Sequence, residues 1–174
     1  FSAYIDEENS TSTEQNHTSE ALYYLALLSP SNTSSGTFGF TIADTDTTAP
    51  TITNVTATTA DGSYKADDTI TITVSLSEAV DVTGTPTLTL NTGNNATYSS
   101  GSGSDTLTFT YTVQAGDTTS DLDYGATGSL SGTLKDTALN NATLTLETPG
   151  TSGSLAANKA LVLDTTSPTI TNVT

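Results

Sequence analysis

The side chains available for chemistry in this chain are few in kind. There is no Cys, Met or Trp, one His, and three basic residues against nineteen Asp and Glu, for a formal charge of −16. Without Cys there are no disulfides, zinc–thiolate centres or thiol nucleophiles. His17, the lone imidazole, lies among Glu8, Glu14 and Glu20 and reads as a solvated surface residue. Ser is abundant, yet no Ser sits in a nucleophile-elbow pattern. Nineteen acids allow many carboxylate pairs of the glycosidase kind, but no motif selects one, and we expect no enzyme. What remains is oxygen, from carboxylates, hydroxyls, amides and carbonyls, which is the donor set preferred by Ca²⁺. Lys65, Lys135 and Lys159, with no Arg, are too few to neutralise a phosphate backbone. Nucleic acid is therefore not an expected partner, and anionic membrane surfaces are disfavoured by the same charge.

The elements that would position these oxygens read as short strands. Thr and Ser together exceed a third of the 174 residues, and Thr suits a pleated, half-exposed surface. The run 69–77, TITITVSLS, puts Ile70, Ile72, Val74 and Leu76 on one face and hydroxyls on the other. Segments 51–56, 85–90, 105–113, 128–135, 142–147 and 159–164 alternate in the same way. Leu88 and Leu90 fall inward on one of them, and Leu107, Phe109, Tyr111 and Val113 on another. Turn signals separate them at Asp61-Gly62, at 92–95, at Gly101 and Gly103, at 115–117 and at 148–150. About seven strands in about 118 residues suit an all-β, Greek-key immunoglobulin-like β-sandwich. In the first 45 residues, FSAYI and TFGFTI read as strands, and SEALYYLALLS (19–29) as a buried strand in preference to a short helix.

One phrase occurs twice. DTTAPTITNVT (46–56) returns as DTTSPTITNVT (164–174), identical at ten of eleven positions, with Asp46 paired to Asp164, Pro50 to Pro168 and Asn54 to Asn172. A boundary phrase repeated at a constant offset marks a tandem array. It divides the chain into 1–45, the C-terminal part of a preceding β domain; 46–164, one complete module; and 165–174, the first strand of a next module. The lack of an initiating Met and of any apolar run near 18 residues suits an internal piece of a longer exported protein, with no membrane insertion in this segment.

The stretches DTTAPTITNVTATTADGSYKADDTITITVSLSEAVDVTGTPTLTLNTG, VQAGDTTSDLDYGATGSLSGTLKDTALNNATLTL and NKALVLDTTSP together resemble the bacterial immunoglobulin-like repeats of very large surface-exposed, adhesin-type proteins, often compared with cadherin repeats. The resemblance covers about 46–166. It implies a rod of stacked sandwiches, adjacent modules as partners within one chain, an extracellular or cell-surface location, and Ca²⁺ held at the joints. Residues 1–28 resemble the closing strands of a jelly-roll, lectin-like domain. The cadherin-like pattern supplies metal oxygens from a linker Asp, a Glu after an early strand and an Asp-x-Asp. Carried over, these are Asp46, Glu78, Asp121 and Asp123, with Asp136 and Asn140 as a further oxygen-rich loop and Asp164 repeating the role of Asp46. In a strand-like Asp-x-Asp both carboxylates would point to one side and Leu122 to the core. The family pattern usually has Gly where Leu139 stands and Gly-Asp where Ala66-Asp67 stands, so this chain departs from it at both loops.

Of seven sequons, at Asn9, Asn16, Asn32, Asn54, Asn95, Asn141 and Asn172, those at Asn54, Asn95 and Asn141 are candidate glycosylation sites where the host glycosylates Asn. Two further functions stand beside the structural module. One is a glycan-binding adhesive segment completed by residues 1–45. The other is a subunit of an extracellular filament, with TTSPTITNVT as a donated strand.

Overall fold

The chain divides into two compact units, Phe1–Thr41 and Ile42–Thr174. The computed structural model describes residues 46–169, and the account below is confined to them. The expected strands within 1–45, His17, and the last residues of the second phrase lie outside that range.

The described chain is an all-β fold of two sheets closed on one core. The strands are β1 (Ile52–Ala57), β2 (Gly62–Tyr64), β3 (Thr69–Thr89), β4 (Asn95–Ser100), β5 (Ser104–Thr112), β6 (Thr118–Thr119), β7 (Leu130–Lys135) and β8 (Leu161–Asp164), with one helical turn, α1 (Leu155–Asn158). The larger sheet joins β1, β3, β4, β5 and β7, all antiparallel, while β2, β8 and β6 make a three-stranded sheet in which β2 and β8 run parallel.

The strand β3 is a correction to the sequence reading, which separates 69–77 from 85–90. It is one element of 21 residues. Its first half pairs with β1 and β5 (Val74 with Val55 and with Leu107), and its second half with β4 and β7 (Leu88 with Ala96 and with Leu130). Irregularities between Ser75 and Val80 and between Thr83 and Thr87 bend it, so one strand changes partners part-way along. Alternation predicted the inward face well: Ile70, Ile72, Val74, Leu88, Leu107 and Phe109 are fully buried. The same period cannot show where a continuous strand bends, because both halves alternate equally.

Other expectations shift. Residues 142–147 do not form a strand; they run extended with isolated bridges at Asn141 and Thr143, and Leu146 is buried. The strand β4 carries few apolar residues, Ala96 and the half-buried Tyr98 among them, and was not signalled by alternation. The helical turn α1 is capped by Ser154, whose hydroxyl accepts from Ala157 N, and it buries Leu155. Its Asn158 amide donates to Asn54 Oδ1 and to the Val55 carbonyl, both at 2.8 Å.

The two ends of the sandwich follow from the registers. At one end β3 begins: Asp67 N donates to the Val113 carbonyl and Val113 N to that of Asp68, and nearby Thr118 pairs with Asp164 at the end of β8. At the other end β3 bends: Ser77 N donates to the Thr51 carbonyl and Thr143 N to that of Pro50. The run Thr69–Leu76 between them spans roughly 25 Å at about 3.3 Å per residue. The chain therefore comes in at one end, near Asp46, and leaves at the other, at Asp164.

Two glycines on β3 and β7 separate strain from crowding. Gly84 has φ +78 and open space where a Cβ would point, whereas Gly132 has φ +140 and a Cβ there would lie 2.8 Å from the Pro86 ring. Gly84→Ala is expected to cost about 1 kcal/mol, from backbone strain alone. Gly132→Ala is expected to cost about 2 kcal/mol or more. Urea midpoints of the two variants check the order.

Candidate metal centre

The bend in β3 carries Glu78 to the end of the sandwich where the chain comes in. Two other acids meet it there. The carboxylates of Asp46, Glu78 and Asp136 each offer an oxygen, and these oxygens lie within 4.8 Å of one another. Among the described residues no other three acids converge in this way.

Each acid is placed by a different element. Asp136 follows β7 and is almost fully buried, at 3 % exposure. Its Oδ1 accepts from Asn140 N and its Oδ2 from Asn140 Nδ2, both at 2.8 Å, closing the loop 136–140 on itself. The Asn140 amide also reaches the linker, donating to the carbonyls of Asp46 (3.1 Å) and Thr48 (3.4 Å). Asp46 Oδ1 accepts from Thr48 N at 2.8 Å, an Asx turn that fixes the carboxylate relative to its own backbone. Glu78 is held by the bonds between Thr51 and Ser77 beside it, Ser77 N to Thr51 O at 2.9 Å and Thr51 N to Ser77 Oγ at 3.0 Å.

The loop 136–140 also bears on the departure from the family pattern at Leu139. Leu139 takes φ +72, the left-handed conformation that glycine supplies most cheaply, and its side chain is 71 % exposed. At the other departure the left-handed residue is Asp67, φ +71, one position after the Gly of the pattern. Asp tolerates this conformation better than most residues. Both loops thus make a left-handed turn without glycine.

The electrostatics of the cluster are one-sided. Glu78 titrates above its ordinary value, first because of desolvation and then because of the charges of Asp46 and Asp136. Two ion pairs occur among the described residues, Lys65 with Asp68 at 3.2 Å and Lys159 with Asp61 at 3.0 Å, and neither touches the cluster. Three oxygens no more than 4.8 Å apart all lie within about 2.8 Å of a common point (4.8 Å divided by √3). Ca–O distances are about 2.3–2.6 Å, so small side-chain shifts would bring one Ca²⁺ within reach of all three. Mg²⁺, at about 2.0–2.1 Å in strict octahedral geometry, would need a tighter cluster. The donor set therefore fits Ca²⁺, with the main-chain carbonyl oxygens of Asp46 and Thr48 nearby.

The remaining expected ligands are elsewhere. Asp123 is 5 % exposed, and its two oxygens accept from Tyr124 N (2.8 Å) and Gly150 N (2.9 Å), pinning the 148–150 turn. Next to it, burial first and then the charges of Asp123 and Glu147 push the Tyr124 phenol up to about 12. Asp121 Oδ1 is buried without a hydrogen-bond partner. The Asp-x-Asp is not strand-like, since residues 121–123 form a loop between β6 and β7, although Leu122 does reach the core. Asp164 sits at the opposite end from the cluster, yet its Oδ1 accepts from Thr166 N at 3.0 Å, the same Asx turn that Asp46 makes. Its hydrogen bonds from the Thr166 hydroxyl and amide hold its pKa below the usual value.

Sequence reasoning missed Asp117. Its buried carboxylate accepts from Tyr111 OH, from Gln114 N at 2.7 Å and from Asn94 Nδ2 at 2.8 Å. The turn signal at 115–117 marked the loop but not the burial. Of the sequons, Asn95 and Asn141 are exposed, while Asn54 is half-buried within β1 with its Oδ1 engaged by Asn158. No helix among the described residues is long and apolar enough to cross a membrane.

The site and fold define an all-β sandwich with an acid cluster at the end where the chain comes in. The chain matches no family model, no curated protein and no solved structure.

The raised Glu78 value sets a pH dependence. A carboxyl whose folded pKa lies above its unfolded value favours the folded state once protonated. Its contribution therefore grows as pH falls through the raised value and is complete below 4.5. Asp61, held low first by its bond from Lys159, and Asp68, held low by Lys65, act oppositely: their contributions vanish as pH falls from 3.8 through their lowered values. Without divalent cations, the urea midpoint is expected to rise from pH 7 towards 4.5 and to fall below 3.8. Glu78→Gln is expected to flatten the rise and leave the fall.

Proposed function

We propose that residues 46–164 are a structural extender module of a long extracellular surface protein. On this reading the module is an immunoglobulin-like repeat whose joints are stiffened by Ca²⁺ and whose array supports adhesion. The observation that carries the proposal is the repeated phrase. The opening residues of its two copies stand at opposite ends of the sandwich and make the same Asx turn, Asp46 to Thr48 at one end and Asp164 to Thr166 at the other. A chain that comes in and leaves at opposite ends through the same turn can be continued in line by another module of the same design.

The acid cluster gives the joint its chemistry. Asp46, Glu78 and Asp136 would hold the ion, and Asn140 would tie their loop to the linker. Bound Ca²⁺ would neutralise the mutual repulsion and cross-link the linker to the bend of β3 and the loop after β7. The linker would then lose freedom relative to the module, which is how a flexible string becomes a rod.

Melting the chain in excess Ca²⁺ and in chelator tests this. A ligand that binds only the folded state, at about 100 times its dissociation constant, adds about 2.7 kcal/mol, on the order of 10 °C here. Glu78→Gln is expected to raise the melting temperature in chelator, because it removes repulsion, and to shrink the Ca²⁺-induced rise to less than half. No Ca²⁺-induced rise in the parent chain would leave the three acids as parts of the turns and bend at that end of the sandwich, with no role in holding an ion.

A further inference from the structure

The linker phrase makes bonds in two opposite directions, and the two copies show one direction each. In the first copy the backbone carbonyls of Asp46 and Thr48 accept from the Asn140 amide of the module that follows them. In the second copy the intervening residue, Thr165, turns to the module that precedes it. Its hydroxyl accepts from Gly116 N at 3.0 Å and donates to the Asp117 carbonyl at 3.0 Å. The first set uses main-chain carbonyls and the second a side-chain hydroxyl, so the two do not compete for the same atoms and one linker can make both. The loop that Thr165 grips is anchored in its turn. Asp117 is tied through its carboxylate to Tyr111 in the core and to Asn94, and Thr118 pairs with Asp164 in the sheet.

A linker that makes both sets of bonds holds the loop 114–117 of one module and the loop 136–140 of the next on the same three residues. The second loop carries Leu139, the one exposed large hydrophobic among the described residues, in a left-handed conformation that Leu takes at a cost. We infer that these two loops form a preformed docking interface. Its partner is a second copy of this module joined in tandem after Asp164, and the second copy's Leu139 is covered by the module before it. The inference rests on the array reading above but invokes contacts that need no metal.

The test uses the full chain extended after Thr174 by a second copy of residues 57–169, which continues the repeated phrase without a foreign seam because 170–174 repeats 52–56. The chain has no Cys, so Asp105→Cys in both copies supplies two spin labels. All readings are taken in chelator, so that a failure of the Ca²⁺ proposal, read by melting, remains separate. The expected result is a narrow inter-label distance distribution that broadens with Thr165→Val and with the second copy's Leu139→Gly. Amide exchange at Gly116 in the unextended chain is expected to speed up at least about tenfold in Thr165→Val. Leu139→Gly is expected to raise the melting temperature of the unextended chain by about 2–4 °C, by relieving strain, and to lose that gain in the second copy of the extended chain. An extended chain whose distribution is as broad as that of the double variant overturns the inference. So does a Leu139→Gly effect equal in both settings, since a covered Leu and an exposed one would then be indistinguishable.

Discussion

The fold depends on the bending of one strand. The strand β3 hydrogen-bonds to β1, β4, β5 and β7, so the larger sheet is organised around a single run of 21 residues. Its inward aliphatics belong to one continuous core with Phe109, Tyr111 and Tyr124. The bend has a second effect. A strand that turns at Ser77–Val80 presents the bend at the end of the sandwich, and the acid it carries there is Glu78, half-buried between the exposed Ser77 and Ala79. Core and candidate site are thus built by the same irregularity.

Much of this was legible in residues and some was not. Alternation in 69–77 and 105–113 fixed the buried faces, because a period of two leaves a side chain only two directions. Turn residues at 92–95, Gly101, Gly103 and 115–117 marked where the chain reverses. Strands of two or three residues such as β6 and β2 leave no period to read, and β4, NATYSS, is nearly all polar because its outer face meets water. For the site, the resemblance grouped seven oxygen-bearing residues, and four of them, Asp46, Glu78, Asp136 and Asn140, come together at one end. Asp121 and Asp123 share a spacing with each other and not with that cluster. Which loop tips converge is decided by the path of the sheet, and local spacing carries no record of it.

The charge distribution fits this division of labour. Two of the three lysines are used on turn acids, Asp68 and Asp61. The buried acids Asp117 and Asp123 are satisfied by backbone amides and neutral side chains, as a buried carboxylate must be. At the Asp46 end, amide donors reach Asp46 and Asp136 but do not remove their charge, so Glu78 sits close to like charges. That is a cost to the folded chain, and it is the condition under which a divalent cation gains most by binding.

The parallel pairing of β2 with β8 has a consequence for a chain under tension. The strand β2 follows directly from the strand where the chain comes in, and β8 is the strand by which it leaves; the two run side by side in the same direction, Gly62 beside Leu161 and Tyr64 beside Leu163. A pull on the two ends drags these neighbours past each other lengthwise. Their hydrogen bonds are then loaded together in shear and must break together, whereas a pair peeled from one end breaks one bond at a time. The bond from Gly62 N to the Ala160 carbonyl and the Lys159–Asp61 ion pair lie in line with this patch. Resistance to being drawn out is therefore concentrated in a few residues at the seam of the smaller sheet, well away from the acids at the Asp46 end.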